Sequence, residues 1–245
     1  MEGHETAYRS IAACVVRNTS SKGSFEVLDF GCGPCDKTAI IAKLGYRCRG
    51  IDDFGDGWHT PDAIAKIKRF ARAFGIILQQ GSGRFETIML HDVLEHWHDS
   101  PKQLLEMLVR YKLKSNGHLI ITVPNAGALH KRLKLLMGQT NHPDYGTYYW
   151  HPGPKWRGHI REYVRQDLQL LAEWLGLGVV ELYPCHHMLA AVPRWLRWPY
   201  RLVTGIWRGS RDSWTLVARK PAHWKPVKPE AGAYEKMLAP FCKLS

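Results

Sequence analysis

The stretch Val27-Leu-Asp-Phe-Gly-Cys-Gly-Pro-Cys-Asp36 decides how the rest of the chain is read. Four residues of strand character run into Gly31-Cys32-Gly33, and a helical pattern opens at once with Asp36-Lys37-Thr38-Ala39-Ile40-Ile41. A buried strand that turns on glycines into a helix brings bare backbone N–H groups and a helix N-terminus against a ligand. The next strand ends on Asp52-Asp53, about 20 residues further on, where a carboxylate can hold ribose hydroxyls. This is half of a nucleoside-binding α/β unit.

On either side of this stretch the periodicity predicts strands and helices in alternation. Strands are expected at 25–30, 47–51, 76–79, 85–91, 118–123, 178–182 and 214–218, and helices at 35–44, 61–74, 100–114 and 161–174. Pro61 and the Ser100-Pro101 pair mark helix starts, and Asn116-Gly117 stops the helix that precedes the 118–123 strand. Alternation of this kind means a mostly parallel sheet covered by helices on both faces. Two segments exceed the minimal pattern. Residues 124–159 include a short basic helix at 129–137 and an aromatic, His- and Pro-rich stretch at 141–156; the second segment is 184–211. Both follow the carboxyl ends of strands, where open α/β sheets bind ligands. Residues 1–220 therefore read as one domain with substrate-side insertions at 124–159 and 184–211, and 221–245 as a proline-rich surface tail.

At 245 residues and 45% hydrophobic content, the chain suits one globular α/β domain. Its N-terminus lacks a basic stretch leading into an apolar run, so no signal peptide is expected. No apolar run approaches the roughly 18 residues of a membrane span. Six cysteines without framework spacing fit reduced thiols in a cytoplasmic protein. The formal charge of +12 is uneven: residues 1–125 carry 16 Lys+Arg against 14 Asp+Glu, whereas 126–245 carry 18 against 8, with eight of the ten tryptophans. Such a mixture suits an anionic partner, whether phosphorylated substrate, lipid headgroup or nucleic acid, or else a solvated basic face over core tryptophans.

Four ordered motifs then carry a resemblance. Val27-Leu-Asp-Phe-Gly-Cys-Gly33 resembles the first motif of class I S-adenosylmethionine-dependent methyltransferases, and Phe85-Glu-Thr-Ile-Met-Leu-His-Asp-Val-Leu-Glu-His96 their fourth-strand motif. Leu113-Lys-Ser-Asn-Gly-His-Leu-Ile-Ile-Thr-Val-Pro-Asn125 is similar to the helix–turn–fifth-strand signature. His159-Ile-Arg-Glu-Tyr163 and the helix ending at Leu175-Gly-Leu-Gly178 fit the closing region, so the resemblance spans residues 24–183. It implies a Rossmann-like, doubly wound α/β sheet of seven strands, mostly parallel with the last antiparallel, and S-adenosylmethionine as cofactor. By the same resemblance Asp29, Gly31 and Gly33 surround the methionine part, Cys32 between the glycines is also cofactor-binding, and Asp52 binds the ribose hydroxyls. Asp53 lies near the adenine edge, and the Leu90–His91 backbone faces the methionine amino group. Cys35 replaces the family's third glycine, and Gln79-Gln80-Gly81 stands where an acidic residue usually contacts adenine. The Cys32-x-x-Cys35 spacing also suits a redox pair or half a zinc site, but no second Cys-x-x-Cys exists, and small residues packed in a cofactor loop account for it.

Methyl transfer requires a nucleophile held in line with the methyl carbon, and a base where that nucleophile carries a proton. Asp92, Glu95 and His96 follow the fourth strand, and His159 ends the first rim segment. His96, His159 and Asp92 are the candidate catalytic groups. Together Asp92, Glu95, His96 and His159 also form a candidate divalent-metal set, and this constellation resembles the metal site of small-RNA 2′-O-methyltransferases and related quinone O-methyltransferases. In the second segment, Arg194, Arg197, Arg201, Arg208 and Arg211 interleave with Trp195, Trp198 and Trp207, and no acid falls between Glu181 and Asp212. That mix suits either peripheral membrane contact through 188–211 or a substrate lid. The expectation is a methyltransferase, acting on oxygen of a small-molecule, glycan or lipid-linked acceptor. The alternatives are a metal-assisted RNA 2′-O-methyltransferase, for which no recognisable RNA-binding module is present, and a non-catalytic cofactor-binding regulator. A nicotinamide-dependent dehydrogenase would need a third glycine or alanine at Asp36 and leaves the later motifs unexplained.

Overall fold

Neighbouring residues in each central strand go to opposite sides of the sheet, and nearly all are apolar. Val27, Met89, Ile120 and Val217 enter one core layer; Leu28, Ile88, Leu90, Leu119, Ile121 and Leu216 enter the other. Strands buried on both faces need helices on both, which is the doubly wound solution. The computed structural model describes residues 5–19, 26–54, 60–78, 83–142, 144–151, 156, 158–189 and 192–227. Along the chain run α1 (Glu5–Asn18), β1 (Glu26–Phe30), α2 (Asp36–Lys43), β2 (Arg47–Ile51), α3 (Pro61–Ala73), β3 (Ile77–Leu78), β4 (Phe85–His91) and α4 (Pro101–Met107). There follow β5 (Leu113–Pro124), α5 (Leu129–Leu136), α6 (Tyr145–Tyr149), α7 (Arg165–Trp174), β6 (Gly178–Cys185), α8 (Arg197–Ile206) and β7 (Ser213–Arg219).

The sheet order is β3-β2-β1-β4-β5-β7-β6. Pairs from β3 to β5 are parallel, and β7 alone runs antiparallel, between β5 and β6. The seven-stranded sheet with an antiparallel last strand is the expected one. Its order reverses between β1 and β4, so the ligand crevice opens beside the carboxyl ends of those two strands.

Several boundaries differ from expectation. The 100–114 helix gives way after Met107 to a π turn at Leu108–Lys112. Lys220 contributes to this: its ammonium takes the carbonyls of Val109 (2.5 Å), which a continuing α-helix would have used, and of Leu113 (2.9 Å). The 161–174 helix starts only at Arg165, because Tyr163 is drawn into a parallel bridge with Asn125 at the end of β5. Helix α1 has no counterpart in the sequence expectation, although Ala7, Ile11, Cys14 and Val15 are buried at helical spacing. Residues 221–227 carry no helix or strand and are mostly exposed, with the Trp224 indole donating to the Leu175 carbonyl at 2.7 Å; residues 228–245 lie outside the described residues.

Candidate active site

The glycine turn is built on unusual backbone conformations. Gly31 and Gly33 have φ of +77° and +49°, and Cys35, where the family pattern has glycine, adopts +63°. A Cβ on Gly31 would stand 2.5 Å from Val93 Cγ2, so glycine is required there on two counts, conformation and space. The N–H groups of Gly31 and Cys32 donate to the Ile51 carbonyl at 2.7 and 3.1 Å, hanging the turn on the end of β2. Asp52 takes part in the same lock, its Oδ2 accepting from the Gly33 N–H at 2.6 Å. Asp53 is exposed beside it. Cys32 packs over Gly50, and its sulfur lies 3.6 Å from that of Cys35. The hydrogen bond to Cys35 and burial both push the Cys32 thiol up, which makes it an inert packing group rather than a thiolate.

Asp29 is the buried charge of the cradle. It is 1% exposed; one oxygen accepts from the Thr38 hydroxyl at 2.5 Å, and the other has no partner in the protein. Burial pushes its carboxyl up to about 6, against the opposing pull of the Thr38 bond and the Lys37 charge. A buried carboxylate with one open oxygen, beside a glycine turn and the start of α2, fits the ammonium of a bound amino acid moiety. The residues present therefore fit S-adenosylmethionine: Asp29 would be the group to hold a methionine amino group, and Asp52, at the far end of the turn, the one to hold a ribose. Leu90 is buried within β4. His91 turns its ring inward, Nδ1 lying 2.9 Å from Thr122 Oγ1, and burial holds it down at about 3, hence neutral. Gln79, Gln80 and Gly81 lie outside the described residues.

After β4 the chain turns sharply at Asp92, whose φ is +56° and whose N–H donates to the Thr122 carbonyl. The Asp92 carboxylate is 2.6 Å from Lys37 Nζ. Burial works against ionisation here, yet the Lys37 charge and hydrogen bond hold Asp92 below the usual carboxylate range. A 3-10 turn over Leu94–His96 then buries Glu95 completely, with neither carboxylate oxygen hydrogen-bonded and Oε1 lying 4.0 Å from His96 Nε2. Burial, with the Asp92 charge adding to it, pushes the Glu95 carboxyl up to about 8. The Glu95 carbonyl accepts from the Ile160 N–H at 2.6 Å, and this contact brings His159 in beside His96. Their ring centroids are 5.0 Å apart, edge to face.

Of the four residues singled out as a metal set, three converge. Ligand atoms of Glu95, His96 and His159 lie within 4.8 Å of one another. Asp92 is engaged by Lys37 instead. Three further residues support the cluster and were not singled out from the sequence. Glu162 accepts from His159 Nδ1 at 2.8 Å and is ion-paired with Lys131, whose ammonium also reaches the Asn125 carbonyl at 3.1 Å. Burial opposes it, but these bonds from His159 and Lys131 hold Glu162 below the usual range. Asn125 in turn binds the carbonyls of Gly209 and Arg211 at 2.9 and 2.7 Å, tying the two rim segments together. The signal for Glu162 was its i, i+3 spacing from His159; Lys131 and Asn125 gave none, because their partners come from distant chain.

A cavity of about 250 Å³ opens beside this cluster, lined by Asn141, His142, His159 and Glu162 among others. A larger cleft of about 530 Å³, between Arg17, Glu86, Lys114 and Arg219, lies at the opposite, amino-terminal edge of the central strands. Only the former adjoins the carboxyl ends where α/β sheets hold their ligands.

Comparison with known proteins gives the family and the fold. A family model described as a methyltransferase domain matches residues 4–182. No curated protein matches the chain. Among solved structures, a chain of the Haloferax volcanii complex containing the Trm112 methyltransferase activator superposes with a TM-score of 0.59 at 13% identity, covering 91% of this chain and 92% of that one. The magnesium protoporphyrin IX methyltransferase of Synechocystis PCC 6803, with bound S-adenosylhomocysteine, gives 0.53 at 18% identity, with 89% and 84% covered. The Burkholderia thailandensis 1,6-didemethyltoxoflavin N1-methyltransferase gives 0.55 at 16%, with 89% and 79% covered. At such identities the structures establish the fold, and the domain match, extending over more than half of the chain, establishes the family. The chain belongs to the methyltransferase-domain family and is a class I S-adenosylmethionine-dependent methyltransferase.

Proposed function

We propose that the chain methylates an oxygen of a small-molecule, glycan or lipid-linked acceptor seated beside His159. The single observation that carries this reading is the His159–Glu162 pair at the mouth of the rim cavity. Glu162, held ionised, accepts a hydrogen bond from His159 Nδ1–H and so leaves Nε2 as the nitrogen that can take a proton from an acceptor hydroxyl. The cofactor, when bound, supplies an activated methyl group on a sulfonium centre. The protein's share is to orient the acceptor oxygen, receive its proton at His159 and hold the cofactor through Asp29 and the glycine turn. Incubating cell extracts with isotopically labelled S-adenosylmethionine and tracing the label by mass spectrometry tests this. Label on an acceptor oxygen, lost with His159→Asn, is the expected result; label only on nitrogen or carbon overturns it. If the protein binds S-adenosylhomocysteine and labels nothing, the regulator reading replaces it.

A second reading is favoured by Glu95, whose two oxygens are buried without a hydrogen bond beside His96 and His159. Carboxylate and imidazole donors suit a divalent cation, and its charge would lower the pKa of an acceptor hydroxyl. Glu95, His96 and His159 would hold it, without Asp92. This is the chemistry of a metal-assisted RNA 2′-O-methyltransferase. Labelled RNA, formed only with added cation and lost on chelation, would favour it over the first reading.

A further inference from the structure

Two helices on the carboxyl edge of the sheet are built inside out. In α5 the only buried side chain is Lys131, while Leu133, Leu135, Leu136 and the following Met137 are between 49% and 83% exposed. In α8 the only buried side chain is Thr204, while Trp198, Leu202 and Ile206, at successive turns, are between 53% and 83% exposed. Trp195 and Trp207, in the turns flanking α8, extend that stripe. An ordinary surface helix does the reverse, burying its apolar side and wetting its polar one. The two helices also belong to one surface. The Arg132 guanidinium of α5 lies over the Trp207 ring at 4.7 Å, and Asn125 fixes the chain on both sides.

The charge around this apolar face has one sign. Arg132, Lys134, Arg194, Arg201 and Arg208 are exposed on it, and neither 126–143 nor 182–211 contains an acid. We propose that α5 and α8 together dock on an anionic lipid bilayer. The leucines and tryptophans enter the boundary between headgroups and acyl chains, and the arginines meet lipid phosphates. Ten residues of helix cover roughly 15 Å, so α8 lies in the interface and does not cross it; among the described residues no helix is long and apolar enough to span. A second copy of the chain is the poorer occupant, because two such faces bring like charges together. Docking also turns the active site toward the membrane, since Lys131 of α5 is ion-paired to Glu162, the partner of His159. The proposal rests on this surface and not on the identity of the acceptor.

Sedimentation of the full-length protein with vesicles tests it, using phosphatidylcholine alone and phosphatidylcholine mixed with phosphatidylglycerol. Binding to the anionic vesicles, weakened by salt, is expected. Both Trp198→Ser/Leu202→Ser and Arg194→Glu/Arg201→Glu should bind about tenfold more weakly, with S-adenosylhomocysteine affinity unchanged as the control for folding. Absence of binding to anionic vesicles overturns the proposal, as does equal binding to neutral ones. A wild-type dimer in ultracentrifugation that Trp198→Ser/Leu202→Ser renders monomeric overturns it in favour of self-association.

Discussion

Lys37 Nζ lies 2.6 Å from Asp92 Oδ2, an ion pair that locks the first turn of α2 to the sharp turn after β4. The two elements flank the switch point of the sheet, so the pair forms one wall of the cofactor crevice. It also commits the Asp92 carboxylate to Lys37, while the ligand atoms of Glu95, His96 and His159 converge without it. Removing the lysine with Lys37→Met should lower stability by roughly 1 kcal/mol at neutral pH, a modest figure because water still reaches both groups. Asp92 has its carboxyl held below the ordinary value in the folded state, so the stabilisation is present above the unfolded value of about 3.9 and is lost as pH falls further. Denaturant unfolding of both proteins across pH 7 to pH 2 should show the full difference at pH 7 and a shrinking one as pH falls below the unfolded value.

Asp29 links cofactor binding to pH. Burial keeps its carboxyl at about 6, and only the ionised form pairs with an ammonium. S-adenosylhomocysteine affinity should therefore fall as pH drops below 6, and binding near that pH should release a proton. Calorimetry in two buffers of different ionisation enthalpy reads the proton directly. Asp29→Asn should weaken binding at least about tenfold and abolish the proton release, because a charge-assisted bond is replaced by a neutral one. Proton release that survives the substitution would assign it to another group.

The sheet was legible because its strands are short apolar runs bounded by turn residues, and the glycine turn because Gly31-Cys32-Gly33 sits between a strand and a helix. What stayed illegible depended on partners far along the chain. The π turn at Leu108–Lys112 takes a contribution from Lys220, more than a hundred residues away. The late start of α7 is set by Asn125, and the commitment of Asp92 by Lys37, 55 residues before it. Periodicity reports which face of an element is apolar, but not which cation will arrive at a given carboxylate. The 188–211 segment showed its arginines and tryptophans in sequence; that α5 shares their surface follows only from the contact between Arg132 and Trp207.

Gly31 carries both a positive φ and a steric limit, and the two can be separated. Gly31→Ala places a Cβ 2.5 Å from Val93 Cγ2 and forces an L-residue to φ +77°. Together these should cost about 2 kcal/mol or more and weaken S-adenosylhomocysteine binding. In the double variant Gly31→Ala/Val93→Ala the clash is relieved but the backbone strain is not, so it should be less destabilised than the sum of the single changes. Strict additivity in thermal unfolding would mean that Val93 does not limit the turn.

Glu162 should set the tautomer of His159. With the carboxylate accepting at 2.8 Å, the imidazole proton belongs on Nδ1. Nitrogen NMR of the labelled protein should show that form in the wild type and its loss in Glu162→Gln. Methyl transfer by Glu162→Gln should drop about 10- to 100-fold, while S-adenosylhomocysteine affinity holds. Melting should also fall, because Lys131 loses its buried carboxylate partner; His159→Asn should lose activity without that second effect.

Glu95 offers the sharpest test of the metal reading. Two buried carboxylate oxygens without hydrogen bonds are costly, and a divalent cation shared with His96 and His159 would satisfy them. Magnesium or manganese should then raise the melting temperature, by the equivalent of about 2.7 kcal/mol at a hundredfold excess over Kd. Glu95→Gln and His159→Asn should each abolish the shift. Asp92→Asn should leave it in place, because that carboxylate is engaged by Lys37 rather than by the cluster. A shift lost with Asp92→Asn would return Asp92 to the metal set, and no shift in the wild type with either cation would leave His159 and Glu162 as the proton-handling pair of a metal-free site.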